Sequence, residues 1–242
     1  MKIFALSDLH LSLSEPYRAG DAHQPSLSKP MLKFGALWQD YFQRLERNWY
    51  ATVSDEDTVL IAGDISWAMT LAQAEYDLAY IDSLPGRKLM VKGNHDYWWE
   101  SVSRLRSVLP PSIAVLQHEA VVVGNYAVCG TRGWVLPEHS DFRESSDRKI
   151  FDRELIRMEL ALEQAASFGL PVIAMMHYPP LDNADIGGQF CELMGRYAVT
   201  DCVYGHIHGD KKGAYEGEYK GIRYHNCSID RIDFCPRLIV EQ

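Results

Sequence analysis

Five short, mostly apolar runs recur along the chain, and a polar residue follows each of them. They cover residues 3–6, 58–62, 88–91, 172–176 and 201–204. Short runs of β-branched and aliphatic residues without polar alternation are typical of strands buried on both faces of a sheet. The pattern therefore predicts five buried strands.

Longer segments between these runs carry apolar residues at spacings of three and four, which predicts amphipathic helices. Pro30, Pro85-Gly86 and Gly169 mark helix boundaries. The predicted helices cover residues 28–53, 71–81, 96–109 and 147–168. Further strands over residues 120–130, 220–229 and 237–240 are expected to complete a second sheet. Strands alternating with helices indicate the α/β class.

The residues that follow the five buried strands are of the types that bind divalent ions. The segments are Asp8-Leu9-His10, Gly63-Asp64, Gly93-Asn94-His95-Asp96, His177, and Gly205-His206-Ile207-His208. Ligands of open α/β sheets bind beyond the carboxyl ends of the strands, so these side chains should converge. Carboxylate, imidazole and amide donors without a thiolate suit manganese, iron or zinc.

In order and spacing, these five segments resemble the calcineurin-like metallophosphoesterases, whose pattern is D-x-H, G-D, G-N-H-[DE], H and G-H-x-H. The resemblance extends from Asp8 to His208. It implies two facing mixed β-sheets flanked by helices, a four-layer sandwich with a dinuclear metal site at one edge. It also implies a hydrolase that cleaves a small phosphomonoester or phosphodiester.

The resemblance further implies a role for each residue in these segments. One ion would be held by Asp8, His10 and His208, the other by Asn94, His177 and His206, with Asp64 bridging the two. The catalytic residues would be Asp64 and His95, with His95 facing the substrate phosphate. A water shared by two ions has a lowered pKa, so a bridging hydroxide can attack phosphorus. An imidazole that titrates near neutrality can protonate the leaving group.

Two departures narrow the choice within the family. The protein-phosphatase branch continues its second motif as G-D-x-x-D-R-G, with the later aspartate orienting the catalytic histidine. Here Ala68 stands at that position and no arginine follows, which weakens the alternative of a Ser/Thr protein phosphatase. Pyrophosphatases of the lipid A pathway typically carry arginine where this chain has His95.

A non-enzymatic scaffold of the same fold, such as the retromer scaffold subunit, would have lost ligands that this chain keeps.

Composition sets outer limits on the function. The 242 residues, 47% of them hydrophobic, fit one large α/β domain over residues 1–242. The net charge of −9 disfavours extended nucleic acid and anionic membranes as partners, and favours a small phosphorylated substrate. No run approaches a membrane span and no signal peptide is recognisable, so a cytoplasmic location is expected. Of the five cysteines, three are expected to be reduced core residues: Cys129, Cys202 and Cys227.

Substrate contacts are predicted from residues close to the five segments. Trp67 and Tyr178 could stack on a nucleobase or an aryl group. Arg132 and Arg18 could pair with a substrate phosphate. Trp98 and Trp99 are expected to pack in the core from a helix. Three loops could close over the site, at residues 10–29, 134–148 and 178–189.

Overall fold

The structure is a computed structural model that describes residues 1–181, 187–209 and 214–242. Eleven strands lie in the described residues. They are β1 (Lys2–Leu6), β2 (Thr58–Ile61), β3 (Arg87–Met90), β4 (Ile113–Val115), β5 (Ala120–Val123), β6 (Tyr126–Thr131), β7 (Val172–Met176), β8 (Val199–Tyr204), β9 (Gly217–Tyr219), β10 (Ile222–Asn226) and β11 (Arg237–Glu241). All five predicted buried strands are present.

The strands form two mixed sheets. The first sheet has the order β11-β1-β2-β3-β4, with β1 to β4 parallel and β11 antiparallel at one edge. The second has the order β5-β6-β7-β8-β10-β9, in which only the edge strands β5 and β9 are antiparallel to their neighbours. One core lies between the sheets and contains Ile3 and Leu60 from the first and Ile173 and Val203 from the second. The predicted fold class is confirmed.

The last strand, β11, was expected in the second sheet but pairs with β1, where Val240 lies opposite Ile3. An alternating pattern indicates which face of a strand is buried. It does not indicate which neighbour satisfies the backbone of that strand, so sequence alone misassigned it.

Helices cover the outer face of each sheet. They are α1 (Tyr41–Thr52), α2 (Leu71–Ser83), α3 (Val102–Arg106), α4 (Glu144–Ser167) and α5 (Gln189–Met194). The core outside the first sheet includes Trp49 of α1 and Ile81 of α2. The core outside the second includes Phe151 of α4 and Phe190 of α5. Helix, sheet, sheet and helix therefore form four layers.

The predicted helix over residues 28–53 is wrong in its first half. Two short 3₁₀ turns, Met31–Phe34 and Ala36–Trp38, precede α1. Gly35 has φ +128° and Asp40 has φ +52°, and a right-handed helix cannot pass through either conformation. Phe34 is consequently exposed instead of lying on a buried helical face.

The predicted helix over residues 96–109 is also too long, since only α3 is helical there. The Ser101 side chain caps α3 by accepting from the backbone N–H of Arg104. Trp98 and Trp99 lie before the helix, in a turn, yet both are buried as expected. Trp98 donates its indole N–H to Asp96, and this bond anchors the turn without helical hydrogen bonds.

Three of the cysteines, Cys129, Cys202 and Cys227, are buried and free, as predicted. None of the helices in the described ranges combines the length and the apolar character needed to cross a bilayer.

Candidate metal centre

The five predicted segments meet at one edge of the two sheets. Asp8, His10 and His208 offer ligand atoms within 4.8 Å of one another, and so do Asp8, Asp64 and His177. The first of these groups is the trio predicted for one ion. The two groups overlap at Asp8, so together they form a single cluster of candidate metal ligands.

In the first group, the nitrogen atoms face a free carboxylate oxygen. Asp8 Oδ1 lies 3.3 Å from His208 Nε2 and 3.9 Å from His10 Nε2. The other oxygen, Oδ2, accepts hydrogen bonds from the hydroxyl of Ser228 and the backbone N–H of His206. Oδ1 is buried and has no hydrogen-bond partner among the described residues. A buried, unpartnered carboxylate oxygen beside two imidazoles is what a cation ligand requires.

Asp64 lies between His10 of the first group and His177 of the second. Its Oδ1 accepts the backbone N–H of His95 at 2.8 Å, which orients the carboxylate. Its Oδ2 lies 4.0 Å from His10 Nε2 and 3.5 Å from His177 Nε2. On the second side, His177 Nε2 lies 2.8 Å from Asn94 Oδ1. The chemistry and the spacing of these donors fit two divalent ions.

Hydrogen bonds fix which nitrogen of each imidazole is free. His177 Nδ1 lies 3.0 Å from the carbonyl of Ala62, and His208 Nδ1 lies 3.0 Å from Asp230 Oδ1. With Nδ1 occupied, Nε2 is the nitrogen that can hold a metal. The ring of His206 lies 5.1 Å from that of His177, outside both compact groups.

The backbone at this edge is strained where the ligands sit. Four predicted ligands adopt positive φ: Asp8 at 60°, His10 at 48°, Asp64 at 52° and His206 at 72°. Such conformations cost about 1–3 kcal/mol each outside glycine, and they persist where surrounding structure enforces them. A Cβ on Gly93 would collide with Asp64, and one on Gly205 would collide with Ser7 and Asp8. Glycine is required at both positions because two segments of the backbone approach each other so closely.

Burial sets the protonation of the cluster. It raises the pKa of Asp64 to about 7, because a carboxylate inside the protein loses its hydration. Burial also lowers the pKa of His10 and His206 to about 3, which keeps both imidazoles neutral and able to bind metal. For His208, the hydrogen bond to Asp230 and the nearby carboxylate of Asp8 outweigh burial and raise its pKa to about 10. An ion must therefore displace a proton from His208.

Burial on its own would also raise the pKa of Asp8. The close approach of His208 and the charges of the neighbouring imidazoles outweigh that effect, so the pKa of Asp8 is lowered. This carboxylate therefore keeps its negative charge although it is fully buried.

Asp96 organises the cluster, although sequence reasoning gave it no role. It is fully buried, and its two oxygens accept the backbone N–H groups of Gly93, Ile65 and Ser66. These bonds join the loop after β2 to the loop after β3, and so hold Asp64 beside Asn94. The only sequence signal was its place at the end of the Gly-Asn-His-Asp segment.

His95 lies beside the ligands and faces the cleft. Its Nε2 is 4.0 Å from Asp64 Oδ2, and no other carboxylate in the described part of the chain approaches it as closely. Trp67 packs against it instead, with ring centroids 4.6 Å apart. Trp67 also stacks on His10 at 4.5 Å and 17°. An aromatic ring therefore packs against His95 in this structure.

The cleft above the cluster has a volume of about 420 Å³. One wall is formed by Trp134 and Tyr178, whose ring centroids lie 5.0 Å apart, and by Pro179 and Leu136. Tyr178 also packs against His206 at 4.2 Å. Tyr178 is therefore positioned at the cleft, whereas the loop that follows it lies partly outside the described residues, at 182–186.

Neither predicted arginine reaches the cluster. Arg132 places its guanidinium 4.4 Å from the ring centroid of Trp134 and 3.9 Å from Glu154, and it does not line the cleft. Ala19, next to Arg18, bonds to Ser83 at the far end of α2. Ser83 is the last residue of that helix, and Arg18 is not among the residues that line the cleft. A phosphate contact by either arginine is not supported by this geometry.

The loop over residues 10–29 folds back on itself, with Leu13 paired to Leu27. It lines a separate cavity of about 520 Å³, to which Trp67 also contributes. The loop after β6 behaves differently, since Trp134, His139 and Asp141 line the metal cleft itself.

Comparison with known proteins agrees with this geometry. A family model for calcineurin-like phosphoesterases matches residues 1–210. The Gene 66 protein of Mycobacterium phage L5 is 40% identical over 58 residues, a match that spans only 24% of this chain and 28% of the phage protein. A protein of unknown function from Aquifex aeolicus superposes with a TM-score of 0.51 at 15% identity, covering 98% of this chain and 95% of its own. A second solved chain gives 0.54 at 14% identity, covering 94% and 90%. At these identities the two structures show a shared fold alone.

Proposed function

The chain belongs to the calcineurin-like phosphoesterase family, and from this premise we propose that it hydrolyses a phosphomonoester or phosphodiester of a small molecule with two divalent metal ions. Asp8, His10 and His208 would hold one ion. Asn94, His177 and His206 would hold the other, and Asp64 would bridge them.

The position of Asp64 carries this proposal. Its Oδ2 approaches His10 on one side and His177 on the other, at 4.0 and 3.5 Å, while its Oδ1 is tied to the backbone. A carboxylate oxygen between two groups of ligands suits the separation of about 3.5–4 Å that is typical of two-metal sites. When bound, the ions would neutralise charge on the phosphate oxygens and lower the pKa of a shared water.

The protein's own side chains would do the remaining work. His95 borders the cleft beside Asp64, where it can donate a hydrogen bond or a proton to the oxygen of the leaving group. Trp67 restricts the orientation of this ring by packing against it. Trp134 and Tyr178 offer an apolar, aromatic wall to the organic part of the substrate.

The size and charge of the protein favour a small substrate. A cleft of about 420 Å³ is in the range of small-molecule sites. The net charge of −9 works against binding a polyanion such as nucleic acid. Manganese, iron and zinc all suit the donor set.

Turnover of a substrate panel tests the proposal. Protein loaded with manganese is assayed on alkyl and aryl phosphomonoesters, cyclic and linear diesters, nucleotides and a phosphoserine peptide. We expect hydrolysis of at least one small ester, and a loss of about 10³-fold or more in Asp64→Asn, with metal content falling towards one ion or none. Asp152→Asn, at an exposed carboxylate of α4, serves as the control.

Two results would contradict the proposal. Hydrolysis of the phosphopeptide alone would favour a protein phosphatase. Two tightly bound ions in Asp64→Asn would remove the bridging role from Asp64.

A further inference from the structure

A second cavity, of about 230 Å³, is lined by an excess of positive charge. Among the described residues it shares no lining residue with the metal cleft. Its walls carry four cations and two carboxylates: Lys92, Arg132, Arg153, Arg157, Glu100 and Glu154. This concentration of cations is unexpected in a chain whose net charge is −9, because like charges in one cavity repel unless an anion lies between them.

One buried carboxylate serves three guanidinium groups. Glu154 is 1% exposed, and its Oε1 lies 2.6 Å from Arg157, 3.7 Å from Arg153 and 3.9 Å from Arg132. The first distance is a hydrogen bond, and the other two are not. The Nε of Arg132 is buried and has no hydrogen-bond partner in the described part of the chain. The positive charge on this wall is therefore only partly compensated.

Lys92 adds a further cation whose partner is weak. Within the described ranges its Nζ makes one hydrogen bond, to the backbone carbonyl of Trp99 at 3.5 Å. Glu100, the second carboxylate of the cavity, is exposed. It lies 4.0 Å from Arg104, so its negative charge is directed towards Arg104 and not towards the four cations of the cavity. The ammonium group of Lys92 and the guanidinium groups of the three arginines surround one cavity and can bind an anion together. Arginine offers planar pairs of hydrogen-bond donors, and lysine offers a compact positive charge.

We propose that this cavity is a binding site for a small phosphate dianion, separate from the metal centre. Inorganic phosphate and the phosphate group of a small ester share the chemistry that the cations would recognise. The inference does not depend on the proposed hydrolysis, since none of the predicted metal ligands lines the cavity.

Calorimetric titration of the metal-loaded protein with inorganic phosphate tests the site. We expect two binding events in the wild type, one that Asp64→Asn removes and one that it leaves. Arg153→Gln should weaken the remaining event by about tenfold, the effect of losing one charge-assisted contact. Arg153 is suitable for this test because it is 54% exposed and Glu154 keeps Arg157 as its partner.

Two further variants test the direction of the change in phosphate affinity and provide a control. Glu154→Gln removes the anion that competes for the cations, so it should tighten phosphate binding. Arg196→Gln removes an equal charge from an exposed arginine paired with Glu159, and should leave both events unchanged. Titration of Asp64→Asn with glycerol phosphate then distinguishes the sources, since binding of the ester as well as of phosphate identifies a site for phosphorylated metabolites.

The proposal is overturned if the wild type binds no phosphate beyond what Asp64→Asn removes. It is equally overturned if Arg153→Gln and Arg196→Gln bind phosphate with the same affinity. Failure of the hydrolysis assay would not change the interpretation of either phosphate-binding result.

Discussion

The two sheets contribute chemically different halves of the candidate metal centre. The first sheet delivers every carboxylate and the amide among the predicted ligands, together with one imidazole. The second delivers imidazoles alone. Ligands from the first sheet are Asp8, His10, Asp64 and Asn94, and those from the second are His177, His206 and His208. Both carboxylates therefore come from one sheet, and the other sheet contributes imidazoles only.

The halves also differ in how their geometry is held. Positive φ occurs at three of the four ligands from the first sheet, Asp8, His10 and Asp64, but at one of the three from the second sheet, His206. On the second, hydrogen bonds to Ala62 and Asp230 set the imidazoles of His177 and His208. A site divided in this way is complete only when the two sheets are packed together. Metal affinity should therefore depend on the contact between the sheets near Asp8, which we call the seam.

That seam runs past Asp8. Ser7 donates its N–H to the carbonyl of Cys227, and Ile229 donates to the carbonyl of Ser7, at 2.8 and 3.0 Å. Gly205, on the second sheet, approaches Ser7 and Asp8 so closely that a Cβ would collide with both. The seam is therefore the place where a small change should affect both halves.

The largest effect is expected for Gly205→Ala. The added methyl must displace Asp8, which supplies ligand atoms to both groups. We expect loss of both ions, a loss of hydrolysis of about 10³-fold, and a fall of ~1–3 kcal/mol in the free energy of unfolding. Metal analysis, turnover and chemical denaturation measure the three effects.

Gly195→Ala is the matched control. A Cβ there would make only ordinary contacts, at 3.4 and 3.7 Å, and the backbone has φ −64°. If Gly205→Ala keeps its metals as Gly195→Ala should, the seam does not govern the site and the two halves are independent.

The next-largest effect is expected for His95, which follows a strand of the first sheet and is not a predicted ligand. His95→Asn should keep both ions, and it should slow esters with poor alkyl leaving groups far more than activated aryl esters, by ~10²–10⁴-fold. The reason is that an alkoxide needs a proton and p-nitrophenolate hardly does. The measurement is kcat for one alkyl and one aryl ester in the wild type and the variant. Equal losses would assign His95 to stabilising phosphate charge, and a loss of metal would make it a ligand.

Sequence reasoning was strongest where a side chain follows a buried parallel strand. The runs before Asp8, Asp64 and His177 are apolar on both faces, and the strand ends converge because parallel strands share an edge. Sequence reasoning was weakest where the residue or strand that completes an interaction is distant along the chain. The bond between Asp230 and His208 joins residues in different loops, and β11 pairs with β1 across almost the whole chain.

Helix boundaries failed for a local reason. The apolar spacing over residues 28–53 is helical, but Gly35 and Asp40 adopt left-handed conformations that interrupt the helix. Apolar periodicity does not register a single left-handed residue. The same limitation hid the strain at Asp8 and Asp64, which only the backbone angles reveal.

A smaller effect is expected when the support of an imidazole on the second sheet is removed. Asp230→Asn takes away the charge that holds His208 Nδ1, while Asp8 and His10 stay in place. Loss of such an orienting carboxylate typically costs about 10–100-fold in metal affinity. Competition with a chelator measures the affinity of each ion. The exposed Asp233→Asn is the control, and equal affinities in the two variants would mean that His208 needs no support.

The last comparison concerns the pH dependence of stability and takes two buried carboxylates, one beside each sheet. Asp201, on β8, is bound by Arg223 and His225, and these partners outweigh burial and lower its pKa. Asp77, on α2, accepts hydrogen bonds from two neutral donors in the described part of the chain, the hydroxyl of Ser66 and the N–H of Leu13. Burial therefore raises the pKa of Asp77 to about 7.

The two carboxylates should give stability opposite dependences on pH. A raised pKa means that the folded state holds a proton that the unfolded state releases, so the contribution of Asp77 falls as pH rises from about 4 to about 7. The lowered pKa of Asp201 has the reverse effect, and its contribution is lost as pH falls below the ordinary range of an aspartate. Asp77→Asn keeps an acceptor for Leu13 and cannot ionise. Its stability relative to wild type should therefore increase with pH, by up to about 4 kcal/mol between pH 4 and 7. Denaturant titrations of both proteins at several pH values, with metal present throughout so that its contribution cancels, give this difference. A constant difference across that range would show that Asp77 stays ionised, and that the first sheet tolerates a buried charge without a cationic partner.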